Sequence, residues 1–136
     1  VEIQEASDIT YRIYDYDRRD ANGNPRDLHV DQSVDAVNYD DVISGKQNII
    51  PAKGESSTLV DCEYFTTCVH DIDRETPLDL SQLDSFTVLI GIGGQLSVST
   101  PDGQTVSLPQ GHTLLVPACQ PSVKIQGEGQ VLTVNL

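Results

Sequence analysis

The stretch that decides the fold reads QLSVSTPDGQTVSL and covers residues 95–108. Polar and apolar residues alternate over residues 95–99 and again over residues 105–108, which is the period of a β-strand with one buried face. The turn Pro101-Asp102-Gly103 lies between the two runs, and its glycine can adopt the positive φ that a tight hairpin needs. The stretch therefore predicts a β-hairpin.

Similar short strand patterns fill the sequence outward from this hairpin. The predicted strands are 58–62, 65–72, 85–92, 95–100, 104–108, 113–116, 123–126 and 130–135. The run at 85–92 is almost continuously apolar, as is typical of a strand buried on both faces. Many short strands separated by Gly- and Pro-rich turns predict a β-barrel or β-sandwich.

The N-terminal segment carries a second alternating pattern, in which an arginine lies mid-span. One face of the predicted strand presents Ile9, Tyr11 and Ile13, and the other presents Thr10, Arg12 and Tyr14. An arginine in the middle of a strand has two explanations. It either extends into solvent from an edge strand, or it is buried and faces an anion, since a buried guanidinium needs a counter-charge.

A single helix is predicted after a turn rich in Asn and Gly. Val30, Val34 and Val37 recur at the i, i+4 and i+7 positions of one helical face. Asp31 lies in the first turn, where a carboxylate complements the helix dipole. Residues 38–57 are polar, with scattered Gly and Pro, and predict a loop.

The charge balance limits the classes of partner. With 8 basic and 21 acidic residues, the 136-residue chain has a net charge of −13, which argues against nucleic acid and anionic membranes as partners. Half of the basic residues fall in one window, as Arg12, Arg18, Arg19 and Arg26. These arginines are either ordinary surface residues of a turn or a local patch that attracts anions.

Cysteines and histidines show no metal-site spacing. Three cysteines without a C-x-x-C pair indicate reduced thiols in a cytoplasmic protein. His29, His70 and His112 are too scattered to suggest a zinc site, so we expect no metal on this chain itself. His70 and His112 are expected at the surface, whereas His29 either lines a pocket or packs at the helix start.

Several segments resemble one known family closely. VEIQ at 1–4, SDITYRIYD at 7–15 and RDLHV at 26–30 resemble the type I mannose-6-phosphate isomerases. The resemblance continues through YFTT at 64–67, LDSF at 83–86 and GHTLLVPA at 111–118, which are general features of cupin barrels.

The resemblance implies a mainly β fold: a double-stranded β-helix (cupin, or jelly-roll) barrel with one short helix and an N-terminal strand from a neighbouring sheet. Residues 1–57 would end the catalytic region, and residues 58–136 would form a metal-free C-terminal cupin barrel. A chain that starts at Val1 and has no methionine is then expected to be a processed chain or a fragment.

The resemblance also implies a function. The whole protein would be a zinc-dependent isomerase that interconverts mannose 6-phosphate and fructose 6-phosphate. Its zinc ligands would precede Val1, in an upstream catalytic domain that this chain partners, and the chain alone would be inactive and bind no zinc. By resemblance, Arg12 is the residue that stabilises charge on the reacting sugar or orients its phosphate. Glu2 borders the same site, in acid–base chemistry or in holding Arg12.

One further expectation concerns the barrel. Gly111 and Pro117 keep the spacing of the second cupin motif, but the metal-binding histidine of that motif falls on Ser122, and the glutamate of the first motif falls near Thr87. The missing ligands exclude a metal-dependent oxygenase. They also leave open an alternative from another functional class, a non-enzymatic cupin-like module that binds a carbohydrate or a protein.

Overall fold

The computed structural model describes residues 1–4, 9–40 and 48–136. The chain divides into two compact units, Val1–Lys46 and Gln47–Leu136. Helix α1 (Val30–Ala36) belongs to the first unit, and seven strands belong to the second. The strands are β1 (Ser56–Asp61), β2 (Thr66–Ile72), β3 (Thr76–Asp79), β4 (Thr87–Ser99), β5 (Thr105–Pro109), β6 (Thr113–Val116) and β7 (Ser122–Asn135). Within the described ranges, no helix has the length and apolar character to cross a membrane.

Two long strands organise the second unit. Strand β7 pairs antiparallel with β2, β3 and β4, and β4 also pairs with β5 and β6. Strand β1 joins at the edge by pairing with β2. Because each long strand has different partners along its two halves, the sheet folds over on itself. The predicted mainly β jelly-roll barrel is confirmed.

The hairpin predicted at residues 95–108 is also confirmed. The second half of β4 pairs with β5, with Ser97 opposite Ser107. The turn closes where the Thr100 amide donates to the carbonyl oxygen of Gln104 at 2.9 Å. Gly103 has a φ of 89°, the left-handed conformation that made glycine the expected residue at this position.

Glycines bend the two long strands instead of ending them. The runs predicted separately at 85–92 and 95–100 are one strand, β4, and those at 123–126 and 130–135 are one strand, β7. Gly94 has a φ of 72° and Gly127 a φ of 122°. A Cβ on Gly94 would overlap the carbonyl oxygen of Glu128, and one on Gly127 would overlap that of Gln95. Only glycine allows the two bent backbones to approach this closely.

A β-bulge lets both halves of β4 face the core. The register of β4 against β7 shifts between Gly91 and Gly93. Before the shift the buried positions carry odd numbers, such as Leu89, and after it they carry even numbers, such as Leu96. The extra residue reverses the side-chain alternation, so both halves contribute to one apolar core. That core contains Ile72, Leu80, Leu89, Leu96, Val98, Leu108, Val116, Val123, Ile125 and Val131.

The prediction of an N-terminal strand was wrong. Residues 9–17 form no strand, and the adjacent residues 7 and 8 lie outside the described part of the chain. A strand needs a neighbour to complete its hydrogen bonds, and the described part of this unit supplies only one isolated bridge, between Arg19 and Pro25. Tyr16 and Asp17 also adopt positive φ values, 54° and 51°, which turn the chain at that point.

Helix α1 is confirmed, but its valines are not its buried face. Val37 has an extended backbone and lies after the helix, and Val34 is 52% exposed. The buried residue of α1 is Ser33, whose hydroxyl donates to the carbonyl oxygen of His29 at 2.7 Å. The loop predicted at 38–57 is too long at its end, because residues 56 and 57 belong to β1. Residues 41–47 of this loop lie outside the described part of the chain.

Candidate functional site

The first unit fixes the backbone of Arg12 through His29. The Arg12 amide donates to Nδ1 of His29 at 3.3 Å, and the His29 amide donates to the carbonyl oxygen of Arg12 at 2.7 Å. His29 is half-buried and directly precedes α1. His29, at the helix start, therefore holds Arg12 in place at both its backbone N–H and its carbonyl oxygen.

The Arg12 side chain is mostly enclosed, but its guanidinium is only partly paired among the described residues. Its side chain is 22% exposed, and one terminal nitrogen donates to the carbonyl oxygen of Asp27 at 3.1 Å. Its Nε lies 3.7 Å from Oδ1 of Asp15, beyond a normal hydrogen bond. A guanidinium has five N–H donors, and most of them have no acceptor among the described residues. Within the described ranges, Arg12 therefore has donors and charge available to an anion.

Asp15 is held by a different arginine. Nε of Arg26 donates to Oδ2 of Asp15 at 2.7 Å, and a terminal nitrogen of Arg26 makes a second, short contact with Oδ1. This two-pronged pairing is the strongest geometry available to an arginine and a carboxylate. The hydrogen bonds from Arg26, with the nearby charges of Arg12 and Arg18, hold the pKa of Asp15 below its ordinary value. Asp15 therefore stays charged.

The other two arginines of the window serve the neighbouring turn. Arg19 donates to the carbonyl oxygen of Gly23 at 2.8 Å, and the Arg18 guanidinium lies 5.8 Å from the ring centre of Tyr16. Asp20 closes the turn by accepting backbone hydrogen bonds from residues 22 and 24. The arginine window thus divides into a structural turn and a charged centre formed by Arg12, Asp15 and Arg26.

Glu2 makes no contact with this centre among the described residues. It is exposed, and its side chain makes no hydrogen bond or ion pair with any described residue. Nothing in the described ranges therefore joins Glu2 to Arg12, and the role predicted for Glu2 stays a prediction. Asp15 and Arg26, in contrast, were not predicted as site residues. They lie eleven positions apart in the sequence. This spacing alone does not predict a contact, because the contact depends on the turn between them.

The barrel carries other residues where the cupin motif would place metal ligands. The Thr87 hydroxyl is buried and donates to Oδ1 of Asn135 at 2.9 Å. Ser122 pairs with Asp79 of β3 at the start of β7. Across residues 1–4, 9–40 and 48–136, no three or more His, Cys, Asp or Glu side chains form a group that could hold a metal ion.

His70 is less accessible than predicted. It lies on β2 and is half-buried, with Nε2 at 3.1 Å from the hydroxyl of Thr133, which is itself buried. Strand alternation directs His70 to the same face as Val131, the core residue opposite it on β7. Burial lowers the pKa of His70 below its ordinary value of 6.5. His112, as predicted, is exposed.

We expect His70 to make the stability of the chain depend on pH. Below pH 6.5 the unfolded chain protonates His70 before the folded chain does, so stability decreases as the pH falls towards the lowered pKa of the folded state. Replacing His70 by Gln should flatten this slope in thermal melts between pH 7.5 and 5.5, whereas replacing the exposed His112 by Gln should not. An equally steep slope in His70→Gln would contradict the assignment.

Comparison with known proteins gives a consistent family. The family described as mannose-6-phosphate isomerase, cupin domain, matches residues 55–136. YvyI of Bacillus subtilis (strain 168), provisionally named a mannose-6-phosphate isomerase, is 35% identical in an alignment 133 residues long that covers 93% of this chain and 40% of YvyI. The mannose-6-phosphate isomerase of Streptococcus mutans is 27% identical in an alignment 133 residues long that covers 97% of this chain and 41% of that protein.

A solved structure agrees with these relatives. The crystal structure of the mannose 6-phosphate isomerase from Bacillus subtilis is 32% identical and superimposes with a TM-score of 0.76, covering 96% of this chain and 41% of that one. The chain thus spans about two fifths of the length of these relatives. Since the matched region covers more than half of its residues, the chain belongs to the mannose-6-phosphate isomerase cupin domain family.

Proposed function

We propose that this chain is the C-terminal part of a zinc-dependent mannose-6-phosphate isomerase, which interconverts mannose 6-phosphate and fructose 6-phosphate. Family membership, the names of the relatives and the share of their length that the chain spans support this proposal. In the same proposal, residues 1–57 end the catalytic region and residues 58–136 form a metal-free cupin barrel. The enzyme would act on a sugar phosphate in the cytoplasm.

The environment of Arg12 is the main structural observation that supports the proposal. Conversion of an aldose to a ketose moves a proton between neighbouring carbons and builds negative charge on an oxygen. The backbone of Arg12 is fixed, its side chain is mostly enclosed, and most of its donors have no acceptor among the described residues. A guanidinium is always charged and presents a planar fork of donors. In this proposal Arg12 stabilises the developing oxyanion or orients the phosphate of the sugar.

Glu2 and the metal complete the proposal. Glu2 would lie at the edge of the substrate site, where it transfers a proton or orients Arg12. The described residues do not fit a zinc ion, because no group of three ligands occurs among them. We therefore propose that zinc is bound by an upstream part of the protein, and we assign no step involving zinc to this chain.

We expect the purified 136-residue chain to bind zinc far below one equivalent and to show no isomerase activity, because the proposed ligands lie outside it. The full-length enzyme should contain about one zinc per chain and isomerise mannose 6-phosphate, and chelation should abolish this activity. Elemental analysis and a coupled assay on both proteins provide the test. Stoichiometric zinc in the short chain would show that the ligands were misassigned. An inactive full-length protein would favour the cupin-like binding module.

A further inference from the structure

Asp15 lies between arginines that compete for it. Both of its oxygens contact Arg26, while Nε of Arg12 stays 3.7 Å from the nearer oxygen. Asp15 is well enclosed, with a side-chain exposure of 11%, whereas the Arg26 side chain is 47% exposed. One carboxylate and two guanidiniums carry a formal charge of +1, and the pairing with Arg26 leaves this charge on Arg12. The local charge is opposite in sign to that of the whole chain, which is −13.

We infer that Arg26 is a positioning residue, which engages Asp15 so that Arg12 keeps its charge and donors for the substrate anion. This inference rests on the proposed function, because it concerns the same site. If Arg26 were absent, Asp15 would have one guanidinium left in contact with it, that of Arg12. An ion pair between Asp15 and Arg12 would occupy the donors of Arg12 and cancel its charge. Arg26 would thus act on the reaction without touching the substrate.

The inference predicts rescue by a second substitution. In the full-length enzyme, Arg26→Ala should lower kcat/KM by about tenfold, within the coupling range of contacting residues. Asp15→Asn added to Arg26→Ala should restore most of that loss, because a neutral amide cannot cancel the charge of Arg12. If the Arg26–Asp15 pair only stabilised the fold, the double variant would be no better than the single one. The change should appear in the same kinetic constant, kcat or KM, that Arg12→Ala alters.

Arg19→Ala is the matched control, since it removes the same charge from the same window. The Arg19 side chain contacts the carbonyl oxygen of Gly23 and not Asp15. This variant should leave kcat/KM within about twofold, as is usual for surface residues. An Arg26→Ala enzyme with wild-type kinetics, or a double variant as impaired as Arg26→Ala, would overturn the inference. An inactive wild-type enzyme would instead refute the proposed function.

A measurement without turnover decides the inference in either case. In the 136-residue chain, the guanidinium Nε–H resonance of Arg12 reports whether Asp15 has become its partner. Arg26→Ala should shift this resonance and slow its exchange with water, and adding Asp15→Asn should reverse both changes. An Arg12 resonance that is unaffected by Arg26→Ala would show that Asp15 does not move to Arg12, and would contradict the inference.

Discussion

Replacing Arg12 by alanine in the full-length enzyme should lower kcat/KM about a hundredfold to a thousandfold, or about 3–4 kcal/mol of transition-state stabilisation. The reason is that Arg12 is mostly enclosed and fixed through its backbone, yet has donors without an acceptor among the described residues. If Arg12 contacts charge that develops during the reaction, kcat should decrease. If it binds only the phosphate of the ground state, KM should rise while kcat stays near its wild-type value.

Two variants sharpen this prediction. Arg12→Lys keeps the charge but loses the planar fork, so recovery of activity would mean that charge alone matters, and no recovery would mean that geometry does. Arg19→Ala serves again as the control for general loss of positive charge. Kinetic constants for Arg12→Ala within about twofold of wild type, as expected for an ordinary surface side chain, would refute the assignment and favour the binding-module function.

Replacing Gly94 by alanine should lower the free energy of unfolding of the barrel by about 4 kcal/mol or more. Two effects add at this position. The φ of 72° disfavours any residue with a side chain, and the new Cβ would overlap the carbonyl oxygen of Glu128 on the paired strand. The paired backbones of β4 and β7 would have to separate where they bend together, which would weaken pairing on both sides of the bend.

Other glycines separate the two effects. Gly103 has a φ of 89°, but no atom lies within 4 Å of the position of a Cβ, so Gly103→Ala should cost only the backbone conformation, about 1–2 kcal/mol. Gly93 has no left-handed φ, and its nearest neighbour would be 3.8 Å away, so Gly93→Ala should have the smallest effect. Urea denaturation of the 136-residue variants provides the free energies. A Gly94→Ala chain as stable as Gly103→Ala would show that the bend relaxes without cost.

Local pattern was enough for the hairpin and for a barrel or sandwich of short strands, because alternation and turn chemistry act over a few neighbouring residues, whereas the family resemblance pointed to the jelly-roll barrel. Local pattern was not enough at the bends. Glycines at 93, 94, 127 and 129 look like turn residues in sequence, yet each long strand continues through them. The roles of Gly94, Gly127 and Gly129 depend on the partner strand, because the close approach of two backbones is what requires a missing side chain.

The N-terminal segment carried two predictions, of which the strand was wrong and the site role of Arg12 stays a prediction. The alternation from Ile9 to Tyr14 indicates which side chains could share a face of a strand. A strand also needs a hydrogen-bonding neighbour, and residues 9–17 form no strand. Arg12 was predicted as a site residue by resemblance to a family motif. The pairing of Asp15 with Arg26 beside it was not predicted, because that pairing depends on how the chain turns between the two residues.

The most direct test of the account is the structure of the full-length enzyme with zinc and fructose 6-phosphate. It should show the Arg12 guanidinium donating to an oxygen of the substrate at about 2.7–3.2 Å, while Arg26 stays paired with Asp15. A structure in which the substrate lies away from Arg12, with Arg12 paired to Asp15 or exposed to solvent, would contradict the central claim that Arg12 belongs to the substrate site.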